Sequence, residues 1–273
     1  MDVEITLLSD NAVNKKGLLA EHGLSILLER DAQQLLFDVG QGISAIHNAH
    51  ILDITFHSPP IVLSHGHYDH TGGLMPFVRV FPSTAIFAHS DVFTQHFSLT
   101  GTNNVRNVSA PFAKKELERE GVEVHFDNDP HEVLEGIWTT GQIARPFAAD
   151  QRVTGLSLDA AGRVIDNVLD EIAVVVEGSK KALLLFGCAH AGVRNTIQQV
   201  GAMTDKPLYG IVGGLHLVNA PQRDVRALAL FLRERGVEFV AASHCTGCKA
   251  AELISKYVEC TLTAAGTHLR FHL

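Results

Sequence analysis

Short apolar runs, several closing on Gly, Asp or His, alternate along the chain with stretches of helical spacing. The pattern predicts strands over residues 3–8, 24–28, 34–39, 60–64, 122–126, 137–140, 172–176, 182–186, 208–212, 237–242 and 268–273. It predicts helices over 43–52, 74–81, 111–121, 191–203, 223–235 and 246–258. Arg30-Asp31-Ala32-Gln33 is the expected turn between the second and third strands. Residues 90–108 are read as a helix followed by a loop that covers a site, with the polar Gly101-Thr102-Asn103-Asn104 in the loop. The first half is rich in strand pairs, and the second alternates strand and helix. No linker, low-complexity tract or repeat interrupts them. The expectation is a single α/β domain over 1–273, with layered sheets and outer helices.

Composition narrows the function classes. The 273 residues are 46% hydrophobic, enough for a sizeable core, and the formal charge is −8. No Lys/Arg cluster stands out, so neither nucleic acid nor an anionic membrane is an expected partner. The run over 182–186 is far shorter than the ~20 apolar residues of a spanning helix. The start, Met1-Asp2-Val3-Glu4, is acidic where a signal peptide is basic. With 19% charged residues and a mean hydropathy of +0.12, disorder is excluded. These features read as a soluble, cytoplasmic protein, its oligomeric state left open. The four cysteines (188, 245, 248 and 260) crowd the last third and form no disulfide framework, which fits a reducing compartment. There are 16 histidines, dispersed rather than tag-like, and several sit at the ends of apolar runs. That placement points to metal.

The strongest chemical signal is Ser64-His65-Gly66-His67-Tyr68-Asp69-His70-Thr71-Gly72-Gly73, directly after an apolar strand. In extended chain, residues two apart point the same way, so His65 and His67 can grip one ion. Asp69 and His70 follow where the chain turns into a helix and can face a second ion. Imidazole with carboxylate suits zinc, manganese or iron. Packed without metal, four such groups would repel and resist burial.

Further ligands must come from other strand ends. Gly187-Cys188-Ala189-His190, Gly213-Gly214-Leu215-His216 and Ser243-His244-Cys245 each place a histidine just past a predicted strand. α/β folds gather their sites there. His190 and His244 are read as metal ligands. His216 is read as a ligand, a general acid or a substrate contact. Arg106, Arg145 and Arg152 are candidate anion contacts or plain surface charges.

His65-x-His67-x-Asp69-His70 resembles the signature of the metallo-β-lactamase-fold superfamily, and Leu36-Phe37-Asp38-Val39-Gly40 resembles the strand that precedes it there. Within that superfamily, six further segments resemble one subgroup, the 7,8-dihydropterin-6-yl-methyl-4-(β-D-ribofuranosyl)aminobenzene-5′-phosphate synthase-like proteins. They are Glu21-His22-Gly23-Leu24-Ser25, Thr140-Gly141-Gln142-Ile143, Asp170-Glu171, Cys188-Ala189-His190-Ala191-Gly192, Gly213-Gly214-Leu215-His216-Leu217 and His244-Cys245-Thr246-Gly247. The resemblance covers nearly the whole chain. It implies an αβ/βα four-layer sandwich with the site at the sheet edges. The family's usual third-motif histidine falls where this chain has Gln142, and its bridging aspartate where this chain has Cys188. His190 is then the natural substitute, and Cys188 is either a thiolate ligand or a merely buried thiol.

The expected activity is that of a metal-dependent hydrolase with two divalent ions, zinc first, then manganese or iron. The ions would polarise a substrate oxygen and activate water. Asp69 would orient that water, and His216 would protonate the leaving group. Asp38 would either fix a ligand histidine through its other ring nitrogen or serve only as a turn residue at the strand end. The substrate is expected to be a small anionic or phosphorylated molecule. The subgroup also implies a transferase that releases pyrophosphate. Two other classes stay open: an iron-dependent oxidoreductase, and a ligand-binding protein that keeps the metal for structure. Cys245-Thr246-Gly247-Cys248 has the spacing of a redox pair at a helix start, but its first part is accounted for by the subgroup motif.

Overall fold

The eleven predicted strands, joined by three unpredicted ones over 85–88, 131–134 and 259–262, assemble into two seven-stranded sheets. The structure, a computed structural model, describes residues 2–81, 83, 85–100 and 104–273. In chain order the elements of the first half are β1 (Asp2–Ser9), β2 (Ser25–Arg30), β3 (Gln33–Phe37), α1 (Ser44–Ile51), β4 (Ile61–Val62), α2 (Tyr68–Thr71), α3 (Leu74–Val80), β5 (Ala85–Ala88), β6 (Phe97–Thr100), β7 (Asn104–Asn107), α4 (Lys114–Arg119) and β8 (Glu123–Phe126). The second half comprises β9 (His131–Leu134), β10 (Ile137–Thr139), β11 (Leu156–Ser157), β12 (Val174–Glu177), β13 (Ala182–Phe186), α5 (Val193–Met203), β14 (Leu208–Gly214), α6 (Gln222–Glu234), β15 (Phe239–Ser243), α7 (Cys248–Ile254), β16 (Glu259–Leu262) and β17 (His268–His272).

The first sheet runs β17-β1-β2-β3-β4-β5-β8 and the second β16-β15-β14-β13-β12-β10-β9. Each has an antiparallel part and a parallel part, and in the first sheet the antiparallel part pairs the first strand of the chain with the last. In the parallel part of the second sheet, α5 and α6 cross from β13 to β14 and from β14 to β15. The β2–β3 pair turns at Asp31 and Ala32, both at positive φ, which suits the twist of a tight hairpin.

The inner faces of both sheets share one core: Ile5, Ile26 and Phe37 from the first meet Val174, Leu183 and Val212 from the second. Helices cover the outer faces. Val225, Leu228 and Leu232 of α6 pack on the second sheet with Ile197 and Ile254, and Leu74, Phe77 and Ala45 cover the first. The result is the expected αβ/βα four-layer sandwich. Among the described residues, no helix is long and apolar enough to cross a membrane.

One expectation fails. The segment read as a helix and a loop holds the hairpin β6–β7, which β11 extends into a three-stranded sheet. The helical reading rested on the spacing of Phe93, Phe97 and Leu99. Cross-strand pairing of Phe97 with Asn107 and Leu99 with Val105 overrides it. Of the polar loop expected here, Gly101, Thr102 and Asn103 lie outside the described residues. The helix expected over 246–258 is shorter, starting at Cys248 after the positive-φ Gly247.

Candidate metal centre

The C-terminal ends of β3, β4, β13, β14 and β15 meet at one edge of the sandwich. Asp38 follows β3; Ser64, His65 and His67 follow β4; Cys188 and His190 follow β13; His216 follows β14; His244 follows β15. Asp69 and His70 lie in the single turn α2. All six predicted ligands converge here, and all are buried. Asp38, Ala189, His216 and His244 adopt positive φ, an unusual concentration of left-handed backbone outside glycine. Each such residue costs roughly 1–3 kcal/mol and persists only where its surroundings hold it.

A hydrogen-bond chain fixes two of the rings. His70 Nδ1 donates to Asp38 Oδ2 at 2.6 Å. Ser64 Oγ donates to the same oxygen at 2.8 Å and so accepts from His65 Nδ1, also at 2.8 Å. Both rings thus turn Nε2 toward the centre. His190 Nδ1 donates to the Arg152 carbonyl at 2.7 Å, which leaves its Nε2 bare, buried and without a hydrogen-bond partner among the described residues. His244 Nδ1 is set by Asn11 Oδ1 at 2.9 Å.

The fit of these groups to metal can be tested on their lone pairs. His65 Nε2 and His67 Nδ1 are 2.9 Å apart. Burial, reinforced by the neighbouring imidazoles, holds both rings well below the ordinary histidine value and hence neutral. If His67 carries its proton on Nδ1, its Nε2 is a buried acceptor with no partner. If it carries it on Nε2, two lone pairs face each other, and only a cation between them relieves the contact. Either tautomer leaves a demand that a metal ion meets. His65, His67 and His190 bring their donor atoms within 4.8 Å of one another, as one ion requires.

A second set adjoins the first. Asp69 Oδ2 lies 3.5 Å from His244 Nε2 and 3.9 Å from His70 Nε2. Burial opposes its ionisation, but His70, His22 and His244 hold its carboxyl well below the usual carboxylate range. His70 is pushed up to about 9 because Asp38, then Asp69, outweigh its burial. Cys188 stands between the sets. Its Sγ is 3.3 Å from His70 Nε2, and it forms close donor groups with His65 and His70, with His190 and His216, and with His244 and Cys245.

Residues outside the sequence reading also enter the centre. His22 Nε2 is 3.1 Å from Asp69 Oδ2, with its side chain 52% exposed; the only signal for it was the Glu21-His22-Gly23 segment. Cys245, read with Cys248 as a Cys-x-x-Cys pair whose first part belongs to the subgroup motif, is buried, whereas Cys248 is exposed. Burial raises the Cys188 thiol well above its ordinary value. Cys245, although buried, is held well down by hydrogen bonds with Cys188 and His216.

The adjacent carboxylates Asp170 and Glu171 clamp two ligand loops. Asp170 accepts from Gly66 N at 2.7 Å, and Glu171 accepts from His190 N at 2.7 Å and Ala191 N at 2.5 Å. Burial pushes Glu171 up to about 7. Beneath His67 lies His96, whose Nδ1 donates to Asp166 at 2.6 Å. The three arginines separate in role. Arg145 donates to the carbonyls of Asn167 and Val168 and is structural. Arg106 lies over the Tyr68 ring at the mouth of the metal pocket, and Arg152 lines an adjoining cavity.

Residues 20–146 match the model of the metallo-β-lactamase superfamily. The chain is 28% identical, over 260 residues, to 7,8-dihydropterin-6-methyl-4-(β-D-ribofuranosyl)-aminobenzene-5′-phosphate synthase of Methanocaldococcus jannaschii, covering 91% of this chain and 88% of that one. A solved structure described as a metal-dependent hydrolase of the β-lactamase superfamily superposes with a TM-score of 0.84 at 24% identity, over 98% of both chains. The zinc-bound PqqB of Methylobacterium extorquens shares the fold at a TM-score of 0.59 and 12% identity, over 97% of this chain and 99% of that one.

Proposed function

We propose that the chain is a member of the metallo-β-lactamase superfamily and a metal-dependent hydrolase that acts on a small anionic or phosphorylated substrate through a dinuclear centre. The observation that carries this is the convergence of two donor sets from the ends of β4, β13 and β15 and the turn α2, with His190 Nε2 bare and the His65–His67 pair in need of a cation. His65, His67 and His190 would hold one ion; Asp69, His70 and His244 would hold the other, with Cys188 shared between them. Zinc suits this mixture of imidazole, carboxylate and thiolate. Bound ions would supply Lewis-acid polarisation of a substrate oxygen and ionisation of water near neutral pH.

The chain's own groups do the rest. Asp69, ionised and held among three histidines, accepts a hydrogen bond from the attacking water and orients it. His216 lies with its ring 4.5 Å from that of His190, and its Nδ1 is buried without a partner among the described residues. Burial lowers its basicity, but the hydrogen bond with Cys245 and the charges of Cys245 and Glu171 raise it overall. It is therefore suited to hold a proton for the leaving group.

A second reading has its own support. The 28% identical relative is named as a synthase, and a transferase that expels pyrophosphate would use the same anion-polarising centre. One assay series separates them. Zinc-loaded protein is given a phosphodiester, a lactone, and a pterin pyrophosphate with a ribofuranosylaminobenzene phosphate. Hydrolysis of either of the first two, abolished by chelation, supports the hydrolase. Pyrophosphate release that needs the aminobenzene partner supports the transferase. Oxygen-dependent turnover with iron would overturn both in favour of an oxidoreductase.

A further inference from the structure

The metal pocket holds only about 200 Å³, so a substrate larger than a few atoms must extend beyond it. A second cavity of about 320 Å³ adjoins it, and Thr154 and His216 line both. The second cavity is also lined by Gln151, Arg152 and Asn219. These side chains offer a guanidinium, two amides and a hydroxyl as hydrogen-bond donors. No carboxylate lines the cavity among the described residues, in a chain whose formal charge is −8. The Arg152 guanidinium makes one long hydrogen bond, 3.4 Å to the Ala149 carbonyl, and no ion pair among the described residues. Its backbone carbonyl holds His190 Nδ1, so the chain that orients a ligand ring also presents this cation next door.

We propose that this cavity is an anion subsite that takes a phosphate monoester group of the substrate while the reacting end lies in the metal pocket. A phosphate monoester, with three acceptor oxygens and a charge of about −2, can use more of these donors than a carboxylate with two oxygens and one charge. The subsite deepens the hydrolase reading and rests on it only for what happens at the reacting end.

The test is calorimetric titration of the metal-loaded protein with glycerol 3-phosphate, glycerate and glycerol. Glycerol 3-phosphate should bind at least tenfold more tightly than glycerate, and glycerol should show no binding. Arg152→Gln should weaken glycerol 3-phosphate tenfold or more with metal content unchanged, whereas Arg106→Gln should stay within twofold. Asn219→Asp, which sets a carboxylate in the cavity, should reproduce the loss if Arg152→Gln folds poorly. His67→Ala protein should still bind glycerol 3-phosphate, so the subsite can stand even if the metal reading fails. Unchanged binding in Arg152→Gln and Asn219→Asp, a loss confined to Arg106→Gln, or equal binding of glycerate would overturn the proposal.

Discussion

Asp38 is the residue on which most of the centre's order depends. It accepts from Ser64 N at 2.7 Å as well as from Ser64 Oγ and His70 Nδ1, so one buried carboxylate sets the tautomers of His65 and His70. Asp38→Asn keeps the shape and removes the charge. Metal affinity should fall by about 10–100-fold, measured by competition with a chelator; unchanged affinity would mean that Asp38 is only a turn residue. Cys188 can be tested by its sulfur. Cobalt-substituted protein should show a near-ultraviolet sulfur-to-cobalt charge-transfer band that disappears in Cys188→Ser but persists in Cys245→Ser. A band that persists in Cys188→Ser and disappears in Cys245→Ser would reassign the thiolate. At this scale the sequence was legible wherever a histidine or aspartate stood in a compact motif. It was not legible for His22 or Cys245, because their roles depend on which strand ends become neighbours.

Among the elements, the loops after the strands are held by close packing and by remote carboxylates. A Cβ on Gly187 would lie 2.1 Å from Ser64 Oγ and 3.1 Å from Asp38 Oδ2. Gly187→Ala should therefore lower stability by about 3 kcal/mol or more, by analogy with overpacked cores, and disturb metal binding through the Ser64–Asp38 contact. Equilibrium denaturation beside metal analysis checks both. His96 ties the start of the β6–β7 hairpin to the loop before β12 through Asp166. Burial works against its charge, but the hydrogen bond to Asp166 and the carboxylate of Asp170, 3.6 Å from Nε2, push it up to about 9, above the ordinary ~6.5. A raised folded-state value means that its stabilisation is full below pH ~6.5 and is lost as pH rises through about 9. At ~1.4 kcal/mol per unit this amounts to about 3 kcal/mol at most. Wild type should thus lose that much more stability than His96→Gln across this window. Parallel Tm-against-pH curves would refute the role. The hairpin itself was missed because Phe93, Phe97 and Leu99 have helical spacing, and only the pairing with β7 and β11, remote in the chain, decides for strand.

For the whole molecule, the strand order of the two sheets brings five strand ends to one edge, and that topology turns scattered motifs into two donor sets. The alternation of apolar runs and helical stretches gave the layers, because strands buried on both faces, such as β13, read as unbroken apolar runs. The small sheet over the pocket and the cavity behind His216 had no such signal: β11 is two residues long, and the cavity's lining comes from loops without periodicity. Because ions would bind the folded state and not the unfolded chain, chelation should lower Tm, and added zinc should restore it. The most direct test of the dinuclear centre is elemental analysis of purified, untagged protein, in moles of each metal per chain, beside His67→Ala. Wild type should hold close to two divalent ions per chain, and the variant clearly fewer. No metal in wild type, even after reconstitution, or equal metal in both proteins, would contradict the dinuclear centre.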